Sequence, residues 1–425
     1  MTPLTDRPPD ELASLQAALE RDLDLQRANR LSLDLTRGKP GPDQLALSAA
    51  LDEPLESYLA ADGADSRNYG GLRGLPEARA LGAELLGVDP GRVFAAGNSS
   101  LFLMFQVAQT ALLRGLWGDE RRWSRSEPPR MLAPAPGYDR HFTICESLGI
   151  EMFAVPMLDT GPDMDVIHAL VEDDASVKGI WCVPKYSNPT GCIFADSTVA
   201  ALAELPRRAA AHDFVVFWDN AYAVHDFEFP PAPLANLYQL AVEAGTESHM
   251  ALFASTSKIT YAGGGLAFCA GSDRLLDALH KTLEVMTIGP DKVSQLRHVR
   301  LLAGRIEAHM ARHAELLKPK FELVDRVLEQ ELGGLGIAAW TRPKGGYFVS
   351  LNVLPGAAAR VVALAGEVGL KLTPAGATFP YGRDPNDENI RIAPTFTVGD
   401  DLATAMGVLT QCVKLACIRQ IRGTA

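Results

Sequence analysis

The sequence predicts an α/β protein with a large domain built on a mostly parallel sheet with helices on both faces, plus a smaller α+β domain. Three observations carry this prediction. From about residue 92 to residue 271, short apolar runs alternate with longer amphipathic ones, the rhythm of strands and crossover helices. At 425 residues the chain exceeds what one hydrophobic core usually serves. Beyond about residue 290 the pattern turns helical and then mixed. The expected division is an N-terminal segment, 1–65, packing with the small domain, then the large domain over 66–300 and the small one over 301–425.

In order, RVFAAG (92–97), RMLAPAP (130–136), EMFAVPM (151–157), KGIWCVPKYS (178–187), FVVFWDN (214–220), MALFAST (250–256) and GGLAFCAG (264–271) read as strands. The longer runs between them, among them LFLMFQVAQTALLRG, YDRHFTICESLG, DVIHALVEDD and VAALAELPRRAAAHD, have helical spacing. The long amphipathic stretch 298–332 would link the two domains. After it, AAWTRPKGGYFVSLNV and NIRIAPTF suggest a short sheet, and LATAMGVLTQCVKLACIRQI a closing helix. The patch RGLWGDERRWSRSEPPR (114–130) looks like a solvated loop.

Hydrophobic residues at 47% and charged residues at 22% are globular values. A formal net charge of −12 argues against a nucleic-acid or anionic-membrane surface. The N-terminal residues show no basic-then-apolar signal pattern, and no later run is expected to reach membrane-spanning length, so the expected location is cytoplasmic. Six cysteines without Cys-x-x-Cys spacing point to neither a disulfide scaffold nor a zinc site, and no metal is expected.

Chemistry concentrates where strands end. In 97-GNSSLFLMF-105, Ser99 and Ser100 stand between a predicted strand and a predicted helix, where free N–H groups and hydroxyls bind phosphate. Taken alone, helix capping is the favoured reading. In 186-YSNPTG-191, Asn188 either belongs to an ordinary turn or points an amide at a ligand. The run FVVFWDNAY ends abruptly in Asp219, with Tyr222 three residues on; a carboxylate there is expensive unless it meets a cation, and an N-cap is the alternative. Lys258 in 253-FASTSKIT-260 follows an apolar run among Ser255, Thr256 and Ser257, and a desolvated ammonium is costly unless paired or chemically used. Arg391 in NIRIAPTF offers a fork suited to one carboxylate, or is an exposed edge-strand residue.

Together, in this order and spacing, these pieces resemble the class I pyridoxal-phosphate aminotransferases over nearly the whole chain. The segments LDLTRGKP (33–40), RNYGGLRGLPEAR (67–79), PAPGYDRHF (134–142) and STSKITYAGGG (255–265) are most similar to the Ic-type aspartate aminotransferases. The resemblance implies the aminotransferase-like (PLP fold type I) fold and pyridoxal 5'-phosphate as cofactor. It implies that Lys258 forms the Schiff base and moves the proton, while Asp219 pairs with the pyridinium nitrogen. Tyr222 and Asn188 would bond the ring's phenolic oxygen, and Tyr138 would stack on the ring. Ser99, Ser100, Ser255 and Ser257 would bind the phosphate, and Tyr69 would reach the phosphate of a neighbouring subunit, which implies a homodimer with shared active sites. Arg391 would clamp the substrate α-carboxylate, with the Gly38 backbone beside it.

Two departures stand out. Most of the class carries a phosphate-binding arginine seven or eight residues after the lysine, where this chain has Gly265 and Leu266. The arginine that reads a distal substrate carboxylate has no assigned position; Arg37, Lys39, Arg140 and Lys292 are candidates. The expected reaction is L-aspartate with 2-oxoglutarate. Its rivals are the same cofactor acting on another amino acid or in β-elimination, and an aminotransferase-like sensor fused to a DNA-binding module. Only about thirty residues precede LDLTRGKP, too few for a winged helix, which argues against the sensor.

Overall fold

In the computed structural model, which describes residues 2–28, 31–125 and 128–424, helix Pro9–Ala28 leads to strand β1 (Leu33–Asp34). The eight strands of the large sheet follow: β2 (Val93–Ala95), β3 (Arg130–Ala135), β4 (Glu151–Leu158), β5 (Gly161–Pro162), β6 (Val177–Cys182), β7 (Val215–Asp219), β8 (Met250–Ser255) and β9 (Ala267–Gly271). Their order across the sheet is β2-β9-β8-β7-β6-β3-β4-β5. The central five, β8, β7, β6, β3 and β4, are parallel. Strand β9 runs antiparallel between β2 and β8, and β5 turns back antiparallel on β4.

Strands β2, β3 and β6 to β9 are buried at nearly every position because both faces are covered, whereas β4 alternates buried and exposed residues. Along β7, Val215 and Phe217 join one core, with Phe94, Met131, Trp181 and Phe253; Val216 and Trp218 join another, with Leu132, Ile180, Leu252 and Phe268. That alternation is the period-two geometry of a strand buried on two sides. Helices Ser100–Leu113, Asp139–Leu148, Asp196–Arg208 and Leu237–Ala244 return the chain between strands. Each turn from strand to helix therefore opens at the same edge of the sheet.

A third core joins the chain's two ends. Leu4, Leu12, Leu19 and Leu23 pack with Leu317, Val324, Leu328, Leu409 and Val413. Strand β1 pairs in parallel with β12 (Leu370–Lys371), and β10 (Ala338–Trp340), β11 (Val349–Val353) and β13 (Asn389–Ile392) form a separate antiparallel sheet.

Three expectations need correction. The amphipathic stretch 298–332 is two helices, Lys292–Leu302 and Ile306–Leu332, broken where Gly304 takes a φ of +64°. Residues 114–130 are not simply a solvated loop, because Trp123 is 1% exposed and anchors the segment in the core with Phe94 and Phe217; Ser126 and Glu127 of that run lie outside the described residues. One helix among the described residues, Asp400–Arg422, is long and apolar enough to cross a membrane, yet 67% of its apolar window is buried within the fold. All six cysteines are free, and all but Cys192 are buried.

Candidate active site

The carboxyl ends of the parallel strands and the turns after them bring together Ser99, Ser100, Tyr138, Asn188, Asp219, Tyr222, Ser255, Ser257 and Lys258 around one cavity, with Leu101, Met104, Val183 and Ala221 as its apolar lining. This is where an open parallel sheet collects ligands.

Asp219, the last residue of β7, is 2% exposed. Its Oδ2 lies 3.1 Å from Nε2 of His141, and its Oδ1 is buried without a partner among the described residues. It does not act as the N-cap that the sequence allowed. A buried carboxylate oxygen left open is costly and marks a place for a donor that is not part of the chain. His141 was missed in the sequence. It sits three residues after Tyr138, the N-cap of helix Asp139–Leu148; the two rings meet edge-on at 5.0 Å, and the imidazole stacks on Trp181 at 4.5 Å. The i,i+3 spacing was the available signal.

The Lys258 ammonium lies 4.5 Å from the Tyr222 ring centroid and 5.8 Å from that of Tyr347. Burial, with Asp219 adding to it, holds the Tyr222 phenol well above its ordinary range. Burial likewise pushes the Tyr138 phenol up to about 12, with Lys258 opposing. Both are protonated donors at neutral pH.

Ser99 occupies the N-cap of helix Ser100–Leu113, but its side chain makes no capping bond. The capping alternative therefore does not hold for its hydroxyl. Ser257 Oγ is already engaged, donating to the Asn98 carbonyl at 2.8 Å. The turn is tied further to the glycine-rich run, where Asn98 Nδ2 donates to Gly263 O at 2.9 Å. The same run explains why no arginine stands at 265 or 266. A Cβ on Gly265 would meet Thr256 Oγ1 at 3.0 Å and the Ser257 nitrogen at 3.1 Å, and Leu266 is 3% exposed in the core. Among the described lining residues, Lys258 is the one cation. A phosphate here would be held by hydroxyls and helix N–H groups rather than by an arginine.

Asn188 is anchored from the preceding residues. The Lys185 ammonium and the Tyr186 hydroxyl both donate to Asp226, at 2.8 and 2.6 Å. Tyr186 has a φ of +50°, and a Cβ on Gly345 would meet its ring at 2.4 Å, so the Gly-Gly of KGGYF makes room for it.

Arg391 lies on β13 and is buried at 8% exposure, not an exposed edge residue. Its Nη1 donates to Asp139 Oδ1 at 2.9 Å and to Asn188 Oδ1 at 3.4 Å; its Nη2 donates to Thr373 Oγ1 at 3.3 Å. Its Nε is buried without a partner. The guanidinium sits 5.0 Å from the Phe348 ring centroid, and a Cβ on Gly38 would come within 2.2 Å of the same ring. Only glycine lets the 36–41 segment approach so closely.

Tyr69 is apart from this cavity and 81% exposed. Of the four basic candidates for a distal carboxylate, Lys292 is 4% exposed and holds the Tyr69 loop, donating to Asn68 O at 2.7 Å and Gly70 O at 2.5 Å. Lys39 lies over the Phe396 ring at 3.8 Å, and Arg37 and Arg140 are exposed.

The residues present fit pyridoxal phosphate. The open Asp219 oxygen suits a ring N–H, the uncapped Ser99 turn suits a phosphate, and Lys258 lies in the same cavity. The family model described as aspartate amino-transferase matches residues 7–425. The aspartate aminotransferase of Corynebacterium glutamicum is 41% identical over 422 residues, covering 97% of this chain and 96% of that one. A crystal structure of an aspartate transaminase from the same organism superposes with a TM-score of 0.94 at 40% identity, covering 99% of both chains. The α-aminoadipate aminotransferase LysN of Thermus thermophilus, solved with N-(5'-phosphopyridoxyl)-L-leucine, shares the fold at a TM-score of 0.74 and 22% identity, over 96% of this chain and 97% of that one. A match that runs the length of the chain, at this identity, makes the protein a member of the aspartate aminotransferase family, and thus an aminotransferase.

Proposed function

We propose that this aminotransferase uses pyridoxal phosphate in a ping-pong cycle, with L-aspartate and 2-oxoglutarate as the pair converted to oxaloacetate and L-glutamate. One observation carries the reading: a buried carboxylate, Asp219, keeps an unpartnered oxygen in the cavity that also holds Lys258. When bound, the cofactor supplies an electron sink for a carbanion at the substrate α-carbon.

The chain's residues do the rest. Asp219 Oδ1 would accept a ring N–H and favour its protonated form, and His141 holds the other carboxylate oxygen in place. Lys258 Nζ would hold the cofactor and, when free, would take the proton from the substrate α-carbon and return it. Tyr222 and Asn188 would donate to a phenolic oxygen of the cofactor, Tyr138 would cover its ring, and the Ser99, Ser100, Ser255 and Ser257 region would receive its phosphate. Arg391 binds the α-carboxylate, with Gly38 letting the backbone close on it. An amino acid leaves its amine and departs as an oxo acid; a second oxo acid takes the amine away.

Aspartate is favoured by the 41% identity with a relative of that name. The working unit is a homodimer in the cytoplasm. Tyr69, Val285 and Ile288, at 81, 69 and 66% exposure, supply exposed apolar surface for a second copy. Their loops adjoin, since a Cβ on Gly289 would lie 2.5 Å from Gly70 O.

The purified protein should be yellow, and Lys258→Ala should lose both the visible band and at least about 10³-fold in turnover. A colourless wild type that takes up no added pyridoxal phosphate would overturn the cofactor reading. A donor panel that ranks another amino acid above aspartate would overturn only the substrate.

A further inference from the structure

Behind Lys258 the wall of the site holds buried polar side chains that none of these steps uses. The backbone carbonyl of Lys258 accepts a hydrogen bond from Tyr347 Oη at 3.1 Å, and His225 Nε2 lies 3.3 Å from the same oxygen. Tyr347 Oη accepts from Gln44 Nε2 at 2.8 Å, and Gln44 Oε1 accepts from the Gly41 N–H at 3.0 Å. Gln44 and Tyr347 are 0% and 1% exposed.

The direction of this chain is fixed. The Gly41 N–H can only donate and the Lys258 carbonyl can only accept, so the Gln44 amide has one orientation and the Tyr347 hydroxyl one rotamer. A buried series in which each member is satisfied is stiff. Burial holds the His225 imidazole well below its ordinary range, so it is neutral and serves as a second donor to the carbonyl. One residue on from Tyr347, Phe348 touches Gly38 and faces Arg391. Neighbouring side chains thus reach both the lysine and the carboxylate-binding corner.

We infer that Gln44 and Tyr347 are positioning residues that link the Gly38–Gly41 segment to Lys258, so that seating a carboxylate beside Gly38 adjusts the lysine; this rests on the function proposed above. The link acts through the lysine's main chain. Moving the Lys258 carbonyl turns the side chain relative to Tyr222, and with it the reactive nitrogen.

The test uses Tyr347→Phe, Gln44→Met and the double variant as full-length protein loaded with pyridoxal phosphate. Two readouts are taken. The first is the pH midpoint of the visible band without substrate, expected to shift by about half a unit or more in each single variant and no further in the double. The second is amide exchange across residues 256–261, expected to speed up about tenfold in each and no further in the double. Exchange is read with or without cofactor, so a colourless wild type would end the cofactor reading while still testing the link. Tyr347→Phe keeps the ring, which guards against loss of the fold. Unchanged midpoints with unchanged exchange would overturn the inference, and so would effects that simply add in the double variant.

Discussion

The two sides of the site handle buried charge differently. At the sheet edge, Asp219 has one oxygen on His141 and the other open. At the small-sheet side, Arg391 is already held by Asp139, Asn188 and Thr373, with only its Nε open. The first side could accept a further donor without rearrangement. The second must share or exchange partners when a carboxylate arrives, because Asp139 occupies the fork. A resident group suits the first arrangement, and a group that comes and goes suits the second.

The contrast can be broken by substitution. On the function proposed above, Asp219→Ala should have the largest effect, about 10²–10⁴-fold in kcat with cofactor still bound, since the open oxygen would be the contact to the cofactor ring; absorbance and single-turnover rates measure both quantities. If kcat at saturating cofactor survives while cofactor affinity falls, the carboxylate serves binding alone. Arg391→Ala should, on the same proposal, act chiefly on KM for the amino acid, by about 2–3 kcal/mol, because a guanidinium in that role would bind substrate and product carboxylates alike. A KM left unchanged, with kcat lowered, would reverse the assignment of the two sides.

The smallest effect concerns stability. Burial, with His309 nearby, pushes the His313 imidazole down to about 4. An unfolded histidine binds its proton near pH 6.5, so below that value the unfolded chain gains a proton that the folded one refuses. Stability from this source is complete above about pH 6.5 and is lost as pH falls towards 4, by up to roughly 3 kcal/mol. His313→Gln should flatten the pH dependence of the urea midpoint across that window. An unaltered slope would mean that other groups set it.

Much of the architecture was legible because it is local. Strands buried on both faces read as unbroken apolar runs, and Asp219 and Lys258 interrupt or follow such runs, so their positions at the sheet edge could be read directly. Arg391 was found as a residue, but its burial was not, because its partners lie 252, 203 and 18 residues away. His141 on Asp219 is a contact across 78 residues, and Gln44 on Tyr347 one across 303. No window of sequence holds such pairs. Trp123 reads as part of a solvated loop because its neighbours are charged, although its own ring is buried. The break at Gly304 was passed over because apolar spacing continues on either side of it.

The Lys292 ammonium, which ties Asn68 and Gly70 beside the exposed Tyr69, bears on how quickly two copies could assemble. A loop already fixed in one protomer loses little freedom when it docks, so the entropic penalty of association falls mainly on the two bodies and not on the segment. Encounter and orientation, rather than a folding step, would then limit the rate.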